Sequence, residues 1–213
     1  MMMAQLCAGI QLSDLLYSGR LRYVGRKIET LLGKFEAIKG AAFNDEVRSF
    51  LAKIPIMRVW EHDVTIKSGG YFAADKDYGD IDVMAYDTSR DILYLIECKN
   101  TNPAKNIKEM KTEMDEYLGR GDNPERDKKR ALVLKHLRRH RWVTEHINEV
   151  AKHIGVAVTP RVKSMMLTAT VIPTSYLKRE KIPMSILNYP ELKIKGVNLL
   201  DSCKEPDLSV LDI

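Results

Sequence analysis

The chain has 213 residues, of which 45% are hydrophobic and 30% charged, and its formal net charge is +5. These values are typical of a soluble globular protein with one core, and no apolar run approaches the length that a membrane span requires. The three cysteines, Cys7, Cys98 and Cys203, are too few and too widely spaced for a disulfide framework or a zinc knuckle. We therefore expect a cytoplasmic protein, and the mild positive charge favours a polyanionic partner without proving one.

The first part of the chain is predicted to be helical. Apolar residues recur at helical spacing over 12–35, and a second helix is expected over about 41–53, ending before Pro55. Gly33 and Gly40 punctuate this region.

Three strands are predicted next, over 57–67, 80–86 and 92–99. The third is almost wholly apolar until Glu97, a pattern typical of a central strand buried on both faces. A five-residue turn after the second strand makes the second and third strands antiparallel neighbours.

The rest of the chain alternates helices and strands. We predict a charged amphipathic helix over 104–118, a long helical region over about 125–154, and strands over 162–171 and 182–187. This order predicts an α/β fold with a mixed β-sheet flanked by helices.

Three segments organise the chain in this interpretation. Residues 1–38 form an N-terminal helical extension, residues 39–195 form the main domain, and residues 196–213 form a weakly patterned C-terminal tail.

Two carboxylates and a lysine converge on the predicted second and third strands. Glu97 and Lys99 are two residues apart, so they share one face of their strand at about 7 Å along it. Asp82 lies on the neighbouring strand, where antiparallel pairing brings it close to Glu97.

Such an arrangement suits a metal-dependent phosphodiesterase. Two nearby carboxylates repel each other and stay ionised only with a cation between them, and oxygen ligands favour Mg²⁺ or Mn²⁺. Lys99 would orient or deprotonate a water molecule, or stabilise negative charge on the phosphorus centre. A lone Glu-x-Lys would more simply be a surface salt bridge, but here an acidic strand with the sequence Gly79-Asp80-Ile81-Asp82 precedes it.

This constellation resembles the PD-(D/E)XK nuclease superfamily, which has the restriction-endonuclease-like fold. Asp82 matches the first acid, Glu97 the second and Lys99 the lysine, although Ile81 replaces the family's proline. Asp80 is the competing choice for the first acid. The resemblance covers about residues 39–190 and implies a restriction-endonuclease-like sheet, a Mg²⁺ or Mn²⁺ cofactor and DNA as the default substrate.

Many members of that family also carry an acid on the helix before the first strand. The corresponding segment here runs from Lys39 to Glu46, and the family position is occupied by Asn44. The resemblance makes Glu46 the preferred third metal ligand and catalytic residue, with Asn44 or Asp45 as alternatives.

Basic residues predicted to contact nucleic acid follow the strand pair. Lys105 begins the helix after the third strand, and the other cations belong to a dense block ending at residue 141. A block of this kind binds phosphates without reading sequence, although a solvated helix face is the simpler interpretation. The block contains Lys128, Lys129, Arg130, Lys135, Arg138, Arg139 and Arg141.

We therefore predict a Mg²⁺-dependent endodeoxyribonuclease of genome defence, restriction or DNA repair, the biological role resting on family analogy. One active site cuts one strand, so a double-strand break would favour a homodimer or repeated nicking. Other domains or subunits of a defence system are expected partners. The alternatives are a Holliday-junction-resolvase-like nuclease and an inactive DNA-binding module of the same fold.

Overall fold

The computed structural model describes residues 25–104, 106–120, 130–177 and 179–212. The chain divides into two compact units, Met1–Ala42 and Phe43–Ile213. The described part of the first unit is helical, and the strands that the structure describes belong to the second. The predicted residues Lys105, Lys128 and Lys129 lie outside the described residues, as does most of the helix expected over 12–35.

Helix α1 is a single helix of 28 residues, Gly25–Ala52, where the sequence predicted two. A Cβ atom added at Gly33 or Gly40 would meet no described atom within 4 Å, so neither glycine marks a close contact or a turn. In the second unit its residues Phe43, Val47 and Leu51 are buried at four-residue spacing.

The main sheet has five strands, which are β1 Met57–Val59, β4 Val83–Asp87, β5 Ile92–Lys99, β6 Arg161–Thr168 and β7 Ser185–Asn188. They lie side by side in the order β1-β4-β5-β6-β7. The first three pair antiparallel and the last three parallel. The prediction of a mixed sheet flanked by helices is therefore confirmed.

A second sheet of two antiparallel strands consists of β2 Val64–Ile66 and β3 Gly79–Ile81. The strands predicted over 57–67 and 80–86 are thus each divided between the two sheets. Asp82 stands at the second division, between β3 and β4, where the chain bends. The bend lets Ile81 pair with Val64 in one sheet and Val83 pair with Ile96 in the other.

Helices cover both faces of the main sheet. On one face, α1 and the C-terminal helices pack against Val83, Ala85 and Tyr94. On the opposite face, Trp142 and Val143 of the helix Leu132–Glu145 (α3) pack against Leu93 and Leu95. β5 is buried along seven of its eight residues, as its apolar sequence predicted. The remaining helices within the described residues are α2 Ile107–Leu118, α3 Leu132–Glu145, α4 Ile147–Ile154, α5 Thr174–Leu177, α6 Tyr189–Lys195 and α7 Val197–Asp201, followed by a 3₁₀ turn at Ser209–Leu211.

One further prediction about elements differs from the structure, and one segment that the sequence left open is now described. The helical region expected over 125–154 divides at His146 into α3 and α4. The weakly patterned tail contributes Leu199, Leu200, Cys203 and Leu211 to the buried core. Within the described ranges, none of the helices combines the length and apolarity that crossing a bilayer requires.

Candidate active site

Asp82 and Glu97 meet across two adjacent strands. Val83 pairs with Ile96 in the antiparallel ladder, so the next position outward sets Asp82 opposite Glu97. Asp82 Oδ2 accepts a hydrogen bond of 2.8 Å from the main-chain amide of Cys98, while the Cys98 side chain points away into the core cluster beside α1. The strand pairing thus fixes the first carboxylate directly on the strand that carries the second.

Lys99 completes this group from the same face of β5. Its Nζ lies 2.8 Å from Glu97 Oε1, and Glu97 itself is only 4% exposed. The structure therefore brings together the three residues that the motif singled out: Asp82, Glu97 and Lys99.

The two carboxyl groups are in opposite electrostatic situations. Burial, followed by the negative charge of Glu97, raises the pKa of Asp82 to about 6. Burial also pushes the pKa of Glu97 upward, but the positive charges of Arg139 and Lys99 outweigh it and lower the pKa to about 2. Glu97 is therefore ionised, and Asp82 is the carboxyl group whose ionised form the site disfavours.

Lys99 is an ammonium group at neutral pH. Burial disfavours its charge, but the carboxylates of Glu97 and Asp82 more than offset this and raise the pKa of Lys99. A proton held this tightly suits electrostatic stabilisation of an anion better than the base role that the sequence also allowed.

Arg139 of α3 supports Glu97 from behind. Its Nη1 donates to Glu97 Oε2, and its Nε donates to the main-chain carbonyl of Tyr78 at 3.1 Å. Arg139 is 7% exposed. This placement corrects the prediction that Arg139 faces nucleic acid: the guanidinium group is turned inward and neutralises a site carboxylate.

His136 lies one helical turn before Arg139 and is fully buried. Its Nε2 is 3.1 Å from the Leu95 carbonyl, so this nitrogen carries the proton and donates it. Burial lowers the pKa of His136 to about 4, which leaves the ring neutral. Its Nδ1 then accepts from Arg139 Nη1 at 3.4 Å and holds that side chain in place.

Arg48 of α1 holds the main chain at the first acid. Its Nη2 donates to the Asp82 carbonyl and to the Asp63 carboxylate, and its Nη1 donates to Asp45 Oδ1 at 2.7 Å. One arginine thus fixes the backbone of Asp82, and another fixes the side chain of Glu97.

The structure describes no hydrogen bond or ion pair between the helix-borne acid predicted from the family resemblance, Glu46, and the residues of this cluster. Glu46 is exposed, and its main-chain carbonyl accepts a hydrogen bond from Tyr189. Among the alternatives, Asp45 is engaged by Arg48, and Asn44 is half-buried. The part of the chain that the structure describes contains no group of three or more His, Cys, Asp or Glu side chains arranged to hold a metal, and the role of Glu46 as a third ligand stays a prediction.

The described basic residues of the predicted nucleic-acid surface have different environments. Arg141 bonds to the Leu208 carbonyl and to Asp212 near the end of the chain. Arg130 is exposed, and Lys135 and Arg138 are half-buried. The block is therefore not one continuous solvated face.

Sequence reasoning missed Arg48, His136 and the inward role of Arg139. Their partners on the strands, Asp82, Leu95 and Glu97, lie 34 residues or more away along the chain, so no local spacing connects them with the motif. A signal does exist on α3. The buried residues Val133, Leu137 and Val143 predict a core face, and His136 and Arg139 fall on that same face.

Comparison with known proteins adds a biological setting. Residues 12–185 match the family described as "Anti-phage protein Upx-like", a span that contains every residue of the site. The chain belongs to this family. Its membership supports a role in genome defence, which was one of the roles predicted beside restriction and DNA repair. No curated protein and no solved structure shows a significant match to the chain.

Proposed function

We propose that this Upx-like chain is a metal-dependent nuclease that hydrolyses phosphodiester bonds of DNA during defence against phage. The observation that carries the proposal is the group of half-buried Asp82, buried Glu97 and half-buried Lys99, with the two acids opposite each other and the ammonium group on Glu97. The resemblance of this motif to PD-(D/E)XK nucleases supports a related chemistry and a restriction-endonuclease-like fold.

The donor set fits one Mg²⁺ or Mn²⁺ ion. Asp82 and Glu97 supply hard oxygen ligands, and Mg²⁺ commonly takes only one or two protein carboxylates and completes its shell with water and substrate oxygens. Burial and, after it, the negative charge of Glu97 raise the pKa of Asp82 to about 6, so a cation bound beside Asp82 would favour its ionised form. When bound there, the ion would supply Lewis acidity toward a phosphate oxygen and a bound water molecule.

The side chains of the chain itself would then divide the remaining work. Lys99 stands at the edge of the cluster, with its side chain 27% exposed, and presents a positive charge to the phosphate as negative charge builds up on it. Arg139 and His136 act through Glu97, because they keep its carboxylate in one orientation without reaching the surface.

A plasmid-cleavage assay tests this proposal. We expect nicked or linear product with Mg²⁺ or Mn²⁺ and none with EDTA. Asp82→Asn and Lys99→Met should each lower the rate at least about 100-fold, since a lost ligand or charge in a transition state typically has this effect. Asp80→Asn is the matched control, because Asp80 is exposed and lies two residues from Asp82.

Two outcomes would contradict the nuclease proposal. Undiminished cutting by Asp82→Asn and Lys99→Met would show that the activity belongs to another site or to a contaminant. Tight DNA binding without cleavage under either metal would establish the inactive binding module. That alternative has its own support, because both Glu97 oxygens are already occupied by Lys99 and Arg139.

A further inference from the structure

A cavity of about 580 Å³ borders β7, the last strand of the main sheet. Its volume falls within the range of about 300 to 1,000 Å³ that small-molecule sites occupy. The walls come from β7, from the helices α5 and α6, and from the segments that connect and follow them. Asp82, Glu97 and Lys99 are not among the residues that line it, so a ligand here would occupy a second site.

The strand register places this cavity near the active-site edge of the sheet. Lys99 pairs with Thr168 at the end of β6, and Thr168 pairs with Asn188 at the end of β7. Asn188 lines the cavity. Adjacent strands lie about 4.8 Å apart, so the main chains of Lys99 and Asn188 are about 10 Å apart. The cavity is therefore a neighbour of the proposed reaction centre and does not overlap it.

The cavity combines an apolar floor with an aromatic ring at its rim. The floor is formed by Ile182, Met184 and Leu199, each of which is at most 4% exposed. Tyr176 of α5 also lines the cavity, but it is 60% exposed. An aromatic ring gains stability when its faces are covered, and an exposed ring beside an apolar surface suits a flat partner that stacks on it.

Cations outnumber acids in the described part of the lining. Arg179, Lys195 and Lys204 carry positive charge, against Glu180 and Glu191. Lys195 is paired with Glu191 at 2.6 Å, whereas Arg179 is exposed and forms no ion pair with an acid of the described residues. The guanidinium group of Arg179 offers a planar fork of donors that matches two phosphate oxygens. The charges of the lining therefore favour an anionic ligand.

We propose that this cavity binds one nucleotide, with its base against Tyr176 and the apolar floor and its phosphate on Arg179. A nucleotide unites a flat base, which stacks on an aromatic ring, with a phosphate, which a guanidinium group binds through two hydrogen bonds. A free nucleotide and a nucleotide of a DNA strand present this same chemistry. The inference goes beyond the proposed function and does not depend on it, because the cavity is separate from the carboxylate cluster.

Isothermal titration calorimetry of the full chain in EDTA tests this inference. The probes are the common deoxynucleoside 5′-monophosphates, inorganic phosphate and a short single strand of DNA. Tyr176→Ala should weaken the binding of the monophosphates about 5- to 100-fold, as expected for one lost stacking contact. Arg179→Met should weaken it at least about 10-fold, because charged hydrogen bonds to the phosphate are lost. Both side chains are exposed, so neither variant should disturb the fold.

Leu177→Ala and Lys181→Met are the matched controls. Leu177 is the exposed neighbour of Tyr176, and Lys181 is an exposed cation two residues from Arg179. Neither residue lines the cavity, so both variants should keep the wild-type affinity for every probe.

The results also identify the source of the nucleotide. A loss of single-strand affinity in Tyr176→Ala would support a nucleotide of a DNA strand, and a loss confined to the monophosphates would support a free nucleotide. The inference is wrong if the wild type binds none of the probes, or if inorganic phosphate binds as tightly as the monophosphates. It is also wrong if Tyr176→Ala or Arg179→Met keeps the wild-type affinity, or if the controls lose as much.

Plasmid cleavage by the wild type is a separate measurement from nucleotide binding in EDTA. Binding that depends on Tyr176 and Arg179 without cleavage would leave the nucleotide site standing and remove the nuclease. Cleavage that depends on Asp82 and Lys99 without nucleotide binding would do the reverse.

Discussion

Asp82 and Glu97 are both acids of one site, but their pKa values are shifted in opposite directions. Lys99 and Arg139 compensate Glu97, whereas Asp82 carries a pKa raised to about 6 by burial and by its neighbour. The metal-free protein thus keeps a destabilising charge at the position where the proposed cation would bind.

Asp82→Asn should stabilise the metal-free protein. Asparagine is isosteric and still accepts the Cys98 amide hydrogen bond, and it removes both the cost of burying the Asp82 charge and its repulsion with Glu97. A shift of about two pKa units corresponds to roughly 2 to 3 kcal/mol, so we expect a gain of up to about 2 kcal/mol at pH 8 in EDTA. Thermal denaturation measures it, with Asp80→Asn as the control.

The pH dependence of this effect follows from the direction of the shift. Folded Asp82 binds its proton more tightly than unfolded Asp82, whose pKa is 3.8, so wild-type stability falls as pH rises from about 4 to about 6. The advantage of Asp82→Asn should therefore be small at pH 4 and complete above pH 6. A variant less stable than wild type at pH 8 would disprove this electrostatic account.

At the residue scale, the sequence could supply Asp82, Glu97 and Lys99, because strand alternation and one short turn fix their relation. It could not supply Arg139, which reads as one more cation in a basic block until the fold turns it toward Glu97. Local periodicity defines faces within an element, but not which distant element each face will meet.

At the scale of elements, the sequence identified most strands and helices but misjudged where several of them break. Gly33 and Gly40 were expected to interrupt the helix, but α1 continues through both. An isolated glycine destabilises a helix by only about 1 kcal/mol, so the helix tolerates each of them. The break at Asp82 was missed, since its apolar neighbours Ile81 and Val83 look like one strand.

Gly40→Ala should stabilise α1 by up to about 1 kcal/mol. The residue is helical and a Cβ atom there meets no described atom within 4 Å, so alanine gains helix propensity without a clash. Gly79→Ala is the contrasting variant: Gly79 has a φ of 86° and its Cβ would lie 3.4 Å from Arg139 Nε, so it should be destabilised. Thermal unfolding followed by circular dichroism compares the two, and stabilisation of both would contradict this reasoning.

At the scale of the whole molecule, the chemistry depends on a sheet that is covered on both faces. The mixed α/β class was predictable from the alternation of apolar strands and amphipathic helices. The role of the C-terminal segment was not, because Leu199, Leu200 and Cys203 lie in a short stretch with weak periodicity. Long-range bonds fix this segment: the Tyr94 hydroxyl donates to Asp201, and Lys163 donates to the Asp201 carbonyl.

Leu200→Ala should therefore lower the stability of the protein by about 2 to 5 kcal/mol, since Leu200 is fully buried and its loss leaves a cavity. Ile194→Ala is the matched control, because Ile194 is 84% exposed and should change stability by less than about 0.5 kcal/mol. Chemical denaturation measures both. Equal, small effects would mean that the C-terminal segment is not part of the cooperative core.

The bend at Asp82 connects this residue to three separate elements of the fold. Its side chain is tied to β5 through the Cys98 amide, its carbonyl to α1 through Arg48, and its preceding neighbour to the small sheet through Val64. A spectroscopic label on the carboxyl carbon of Asp82 would therefore change its signal when any of the three elements loosens. One probe at this position would report on the packing of all three.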